Sequence, residues 1–289
     1  MTGLKNRRIV ITGSSMGIGQ AVAIRLAREG AKVVINARNE DAIEETRQLI
    51  QAENGTAIAK SGSVADYDKA GELIVCCVEN FGGIDVLINC AGIAEPHGTS
   101  ILDIDVSDWR EVVDVHLHGT FNTCRHAVPL MIEQGVGTII NTSSHAFLGM
   151  YGGTAYAAGK GGVNSLSYAM AMDLKAHNIN VNVVCPGAKT RLSTGEDFID
   201  TIESLHSRGI LSDERRRSAL NPASPNYVAS LYALLASDLA SQVSGQIYWG
   251  SGGYLGRFLE SGQEVLTTMD CETQPPWEIS SLAQELGFS

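Results

Sequence analysis

Tyr156 and Lys160 stand four residues apart in Ala155-Tyr156-Ala157-Ala158-Gly159-Lys160. On a helix that spacing puts both side chains on one face, about 5–6 Å apart at Cβ. An ammonium held there favours phenolate over phenol and lowers the tyrosine from its free pKa of about 10. Upstream, Thr138-Ile139-Ile140 is a β-branched run with the composition of a buried strand, and the polar Asn141, Thr142, Ser143 and Ser144 follow at its end. A hydroxyl from that strand end, meeting the tyrosine oxygen, gives a proton donor or acceptor beside a donor for a developing alkoxide. Taken alone, the pair also describes an ordinary surface helix, so the chemistry depends on what positions it.

The positioning elements begin at the N-terminus. Arg8 to Thr12 reads as a strand and runs straight into Gly13-Ser14-Ser15-Met16-Gly17-Ile18-Gly19. A helix follows, with Ile18, Ala21, Val22 and Leu26 on one face, and Lys32 to Asn36 is a second apolar strand. Strand, glycine turn, helix and strand make the first unit of a dinucleotide-binding fold. The glycines admit a pyrophosphate to the backbone, and the helix N-terminus offers free N–H groups and a positive dipole. Further strands are expected at 56–60, 86–89, 138–141, 180–184 and 245–249, with helices at 66–80, 109–121, 155–176 and 228–237.

The spacing of that turn, Thr12-Gly13-x-x-x-Gly17-x-Gly19, together with the Tyr156/Lys160 pair, resembles the short-chain dehydrogenase/reductase family over roughly residues 5–254. The resemblance implies an α/β domain, a doubly wound parallel sheet (Rossmann fold) of about seven strands, spanning residues 1–254. It carries a substrate lid near 188–225 and is followed by a C-terminal extension, 255–289. It also implies a nicotinamide cofactor, held at Gly13, Ser15, Gly17, Ile18 and Gly19, at Ser63 and Val64, at Asn89, Ala91 and Gly92, and at Tyr156, Lys160, Pro186, Gly187 and Thr190. The ribose-binding acid expected about 20 residues past the turn is replaced by Ala37, with Arg38 next. A missing carboxylate beside a guanidinium fits a 2′-phosphate and favours NADP(H) over NAD(H), the alternative being a solvated arginine.

Several positions depart from the family. Ser63 stands where an Asp is common, and Cys90 replaces the second Asn of Asn-Asn-Ala-Gly. His116 takes the slot of an Asn that links the catalytic lysine to a proton relay; a histidine can serve there through two ring nitrogens, or it is a satisfied core residue. The family's serine-to-tyrosine spacing selects Ser143, whereas alignment on the strand end selects Ser144, which is preferred because strands hold position and loops absorb length. The expected catalytic set is Ser144, Tyr156, Lys160 and His116. His145 is a loop residue near the substrate rather than half of a hydrolase dyad, and Tyr151 lines the pocket.

Composition sets the outer limits. The 289 residues are 44% apolar and 18% charged, enough for a sizeable core. A net charge of −11 and a pI near 5.1 oppose nucleic-acid and anionic-membrane partners. No run approaches the roughly 18 apolar residues of a membrane span, and the N-terminus lacks a signal peptide's apolar core. Cys76, Cys77, Cys90, Cys124, Cys185 and Cys271 show neither C-x-x-C nor zinc spacing and read as reduced thiols of a cytoplasmic protein without a metal.

The expected activity is NADP(H)-dependent interconversion of a small-molecule ketone and a secondary alcohol, in a homodimer or homotetramer as the small-residue helix after Ala155 and the family imply. The alternative keeps the cofactor but not net redox chemistry: a dehydratase, an epimerase-like enzyme, or a sensor and scaffold. Arg215-Arg216-Arg217 in the lid either meets an acidic substrate or carrier or lies on a solvated helix face. Pro275-Pro276-Trp277 and Phe288 are apolar enough to dock the tail on the body or on a partner.

Overall fold

The computed structural model describes residues 2–151 and 153–259. The expectations for Cys271 and for the docking residues of the tail lie outside the described residues. Strand β1 (Arg8–Thr12), helix α1 (Gly17–Arg28), β2 (Lys32–Ala37), α2 (Glu40–Ala52), β3 (Thr56–Ser61), α3 (Tyr67–Phe81) and β4 (Val86–Asn89) alternate through the first part of the chain. Helix α4 (Val106–Val113) continues through one turn of π-helix at Asp114–His118 into α5 (Gly119–Gln134). Then come β5 (Gly137–Thr142), α6 (Ala155–Asp173), β6 (Ile179–Gly187), α7 (Glu196–Ser207), α8 (Asp213–Leu220), α9 (Pro225–Leu235), β7 (Ile247–Ser251) and β8 (Tyr254–Phe258).

The strands form one sheet in the order β3-β2-β1-β4-β5-β6-β7-β8. The first seven are parallel, as expected, and β8 pairs antiparallel with β7. Strand β8 was not anticipated, and with it the compact body reaches Phe258 rather than ending at 254. Its Tyr254 and Leu255 are exposed, so no alternation marks it. The available signal was Gly252-Gly253 between two apolar runs, a hairpin turn, with Gly252 at φ +54°.

A parallel sheet covered on both faces explains the near-continuous apolar strands. Successive residues of one strand enter opposite layers. Ile9, Ile11, Val33, Ile35, Val86 and Ile88 pack with α1 and α9 residues such as Val22, Leu26 and Leu231. Val10, Val34, Leu87 and Ile139 pack with Leu73, Ile74, Ala127 and Met131 of α3 and α5. Each such large side chain contributes about 1.5–3 kcal/mol when fully buried.

The register lines up the C-terminal strand ends. Thr12 stands beside Asn89, Asn89 beside Asn141, and Asn141 beside Val183. The buried polar residues in this row satisfy one another. Asn89 Nδ2 donates to Asn141 Oδ1 at 2.9 Å, Thr123 Oγ1 donates to Asn89 Oδ1 at 2.7 Å, and Asn141 Nδ2 donates to Ser167 Oγ at 2.9 Å.

Replacing Asn141 with alanine leaves the Asn89 amide and the Ser167 hydroxyl short of a partner in the interior. We expect chemical denaturation to show a loss of about 1–3 kcal/mol, and an unchanged midpoint would contradict the bracing role.

Candidate active site

The ends of β1, β4, β5 and β6 open onto a cleft of about 2490 Å³. At its floor, Gly13 has φ +62°, and a Cβ there would sit 2.6 Å from the Ala91 Cα. At Gly19 a Cβ would meet the Gly13 carbonyl oxygen at 2.3 Å. These glycines therefore permit close packing of the turn on β4 and on itself. Thr12 Oγ1 accepts the Cys90 and Ala91 amides at 3.1 Å each, tying the β1 and β4 ends together. Helix α1 starts without a side-chain cap and without an acid in its first turn, leaving its N-terminus free for an anion.

The expected residues converge on this cleft. Ser15, Gly17, Ile18, Arg38, Ser63, Val64, Ala91, Gly92, Pro186, Gly187 and Thr190 line it, as do Ser144, Tyr156, Lys160 and His116. Asn89 does not, against the expectation of cofactor contact: it is buried behind the turn and braces β4 against β5. Thr190 lies against the glycine turn, its Cγ2 at 3.4 Å from where a Cβ on Gly17 would stand. Arg38 is exposed on the rim, with Glu111 Oε1 at 3.7 Å.

The two candidate serines face different surroundings. Ser143 is buried and donates to the Lys160 carbonyl at 3.0 Å. Ser144 lines the cleft beside Tyr156 and draws its pKa down, and its Oγ accepts the Ala146 amide at 3.2 Å. Burial outweighs that effect and pushes Tyr156 up to about 12. Burial thus overrides the lowering expected from Lys160, and the net shift of Tyr156 is upward: desolvation dominates for both groups. Lys160 is itself pushed down to about 8 by burial, and its Nζ donates to the Thr142 carbonyl at 2.8 Å, 5.8 Å from the Tyr156 ring centre.

His116 sits in the π-helical turn and packs edge-on against Tyr156, ring centres 4.9 Å apart. Its Nε2 lies 2.8 Å from the Ile93 carbonyl, while its buried Nδ1 has no protein partner. Burial, followed by the Lys160 charge, pushes its pKa down to about 3, so the ring is neutral near pH 7. It is thus half satisfied, neither the closed core histidine nor a charged one. His145 stacks against Trp249 and Phe258, at 5.6 and 5.2 Å between ring centres, which fits a wall residue. Tyr151 lines the cleft and packs on Ile202 and Leu205 of α7 and on Leu211 just beyond it.

Sequence reading missed two residues. Tyr232 on α9 places its hydroxyl 2.8 Å from Thr142 Oγ1, which in turn is 3.3 Å from Cys90 Sγ. Glu95, in the loop after β4, accepts the backbone amides of Thr154 at 3.0 Å and Tyr156 at 2.7 Å. No sequence spacing connects either residue to the site. The arginine run splits: Arg216 pairs with Glu203 on α7, and Arg215 and Arg217 line the cleft. Among the described residues, no group of three His, Cys, Asp or Glu side chains is placed to hold a metal, and no helix is long and apolar enough to cross a membrane.

The sequence profile described as short chain dehydrogenase matches residues 7–196. The chain belongs to the short-chain dehydrogenase family. It is 34% identical over 255 residues to 3beta-hydroxysteroid dehydrogenase 1 of Eggerthella lenta, covering 86% of this chain and 94% of that one. Among solved structures it is similar to a short chain dehydrogenase from Mycobacterium avium, with 30% identity and a TM-score of 0.79 over 98% of this chain and 94% of that one. Levodione reductase is similar at 26% identity and a TM-score of 0.75, over 86% and 97%. As a short-chain dehydrogenase the chain is an oxidoreductase that uses a nicotinamide cofactor, NAD or NADP. The uncapped start of α1 above a tightly packed glycine turn fits the pyrophosphate of such a cofactor.

The serines give a direct test. Ser144→Ala is expected to lower kcat by about 10²–10³-fold, the loss of one preorganised donor, with a stability loss of about 0.5–2 kcal/mol as its cap on the Ala146 amide goes. Ser143→Ala is expected to cost about 1 kcal/mol of stability and to retain most turnover. The reverse pattern in steady-state kinetics would exchange their roles.

Proposed function

We propose that this oxidoreductase interconverts a ketone and a secondary alcohol with NADP(H), using Tyr156 as general acid and base. One observation carries the reading: Ser144, Tyr156 and Lys160 all face one cleft, with Lys160 one turn beyond Tyr156 on the same helix and its Nζ 5.8 Å from the Tyr156 ring centre. When bound, the nicotinamide cofactor supplies the hydride for reduction and takes it in oxidation. The uncapped α1 start and glycine turn would hold its pyrophosphate, and Lys160, Pro186, Gly187 and Thr190 its nicotinamide half.

In reduction, Ser144 donates a hydrogen bond to the carbonyl oxygen, and Tyr156 gives its proton to the alkoxide that develops there. Burial keeps Tyr156 a phenol at neutral pH, loaded for this step. Lys160 is cationic below about pH 8, and its charge stabilises the phenolate left behind. His116 Nε2 meets both the Ile93 carbonyl at 2.8 Å and the Ile93 amide at 3.2 Å, while its buried Nδ1 has no protein partner. That orphan atom favours a relay role, since buried polar groups are normally paired.

Similarity to a 3beta-hydroxysteroid dehydrogenase supports an alicyclic, largely apolar alcohol or ketone as the substrate. Ala37 and Arg38, in place of an acid at the end of β2, support NADP(H). The five cysteines among the described residues are all free, which supports a reducing, cytoplasmic setting. Exposed Phe121, Ile132 and Met172 on α5 and α6 support a homodimer or homotetramer.

Tyr156→Phe removes the proton donor and keeps the ring. With a 3-oxo steroid and NADPH, we expect turnover to fall by at least about 10²-fold while fluorescence titration shows NADPH still bound; near-normal turnover would sink the mechanism. Arg38→Ala is expected to weaken NADPH binding about tenfold or more, the loss of a charge-assisted phosphate contact, and to leave NADH unaffected. Equal effects on both cofactors would refute the 2′-phosphate contact.

A further inference from the structure

Helix α6 carries Tyr156 in its first turn, yet it has no cap of its own. The side chain of Thr154, its N-cap residue, makes no capping bond, and its Oγ1 is buried without a partner. The first turn holds no acid. Free amides and the positive end of the helix dipole are thus left to be satisfied from elsewhere.

They are satisfied by the Glu95 carboxylate. Oε1 accepts the Thr154 amide at 3.0 Å, and Oε2 accepts the Tyr156 amide at 2.7 Å. Thr99 Oγ1 donates to Oε1 at 3.2 Å and holds the carboxylate from its own loop. Gly153 leaves room for it: a Cβ there would stand 3.0 Å from Glu95 Oε2. The Glu95 loop is anchored in turn two residues earlier, where the Ile93 carbonyl meets His116 Nε2 at 2.8 Å. His116 also packs edge-on against the Tyr156 ring. A closed circuit results, running His116, Ile93, Glu95, the Tyr156 amide, the Tyr156 ring and back to His116.

We propose that Glu95 is a positioning residue: its carboxylate caps the catalytic helix from outside and thereby sets where the Tyr156 hydroxyl stands relative to Ser144. A charge-assisted bond to an amide is stronger than a neutral one, and two such bonds on one turn fix both the start of the helix and its rotation. The role presupposes the Tyr156 mechanism above, but the contact itself does not. Glu95 needs no proton transfer of its own, and no step passes through it.

The test uses the full-length protein with Glu95→Gln and Glu95→Ala. Amide hydrogen exchange, which needs no substrate, reads the contact: the segment 154–160 should exchange about tenfold faster or more in both variants, with the sheet strands unchanged. Steady-state reduction of a 3-oxo steroid with NADPH reads the consequence. A displaced tyrosine should lower kcat about 10–100-fold, while KM and the fluorescence-determined NADPH affinity stay within about twofold of wild type. Unchanged exchange at 154–160 in Glu95→Gln would overturn the proposal, as would faster exchange with unaltered kcat. A fall in kcat matched by melting of the whole chain would also overturn it, in favour of a general stabilising role. If wild type binds NADPH and reduces no 3-oxo steroid, the ketone reading fails, and exchange in the two variants still decides whether Glu95 holds the helix.

Discussion

Parallel pairing aligns Thr12, Asn89, Asn141 and Val183 in one row across four strands, and the site is built from what leaves that row. All strands of a parallel sheet end on the same side, so each strand's polar residue must find a partner beside it or be stranded in the interior. Thr12 takes two amides of the turn after β4, and Asn89 and Asn141 bond to each other. That arrangement sets the glycine turn, the Cys90-Ala91-Gly92 segment and the Ser143-Ser144 pair at fixed relative heights. A slip of one residue in β5 would exchange the surroundings of the two serines, because side chains alternate along a strand.

Burial then decides the charge state of the pair that the alignment creates. Desolvation opposes charge on both groups, raising the phenol to about 12 and lowering the ammonium to about 8. At neutral pH the site therefore holds both protons, the state that the proposed carbonyl reduction requires. The Thr142 carbonyl accepts from the lysine, and Ser143 holds the lysine's own carbonyl, so the cation is tied at both ends to β5. Behind them Tyr232 and Cys90 flank the Thr142 hydroxyl, which links α9 to the same strand end.

The loops add what the sheet does not. The segment after β4 bonds to the start of α6 through Glu95 and to α7 through His97 and Thr201, 3.1 Å apart. It thus touches both α6 and α7. Ile202 and Leu205 of α7 and Leu211 just beyond it form a small apolar cluster. Arg216 is held by Glu203, and its neighbours Arg215 and Arg217 face the cleft. The run of three arginines is therefore neither wholly a binding surface nor wholly a solvated face.

Much of this was legible in the sequence. Apolar runs, glycine punctuation and the tyrosine-lysine spacing are local signals, and they anticipate seven parallel strands, most of the residues lining the cleft and the helix that carries Tyr156 and Lys160, because local pattern reflects local backbone preference and one-sided burial. Strand β8 was missed because an exposed edge strand need not alternate. What sequence did not decide was each matter of long-range geometry. Asn89 faces the interior, because its neighbours in space lie 34 to 52 residues away. The sign of the Tyr156 shift depends on how deeply the folded chain covers it, which spacing does not encode. Glu95 reaches an amide 61 residues on, and only the packed chain brings a carboxylate with no motif of its own to the end of the helix that needs it.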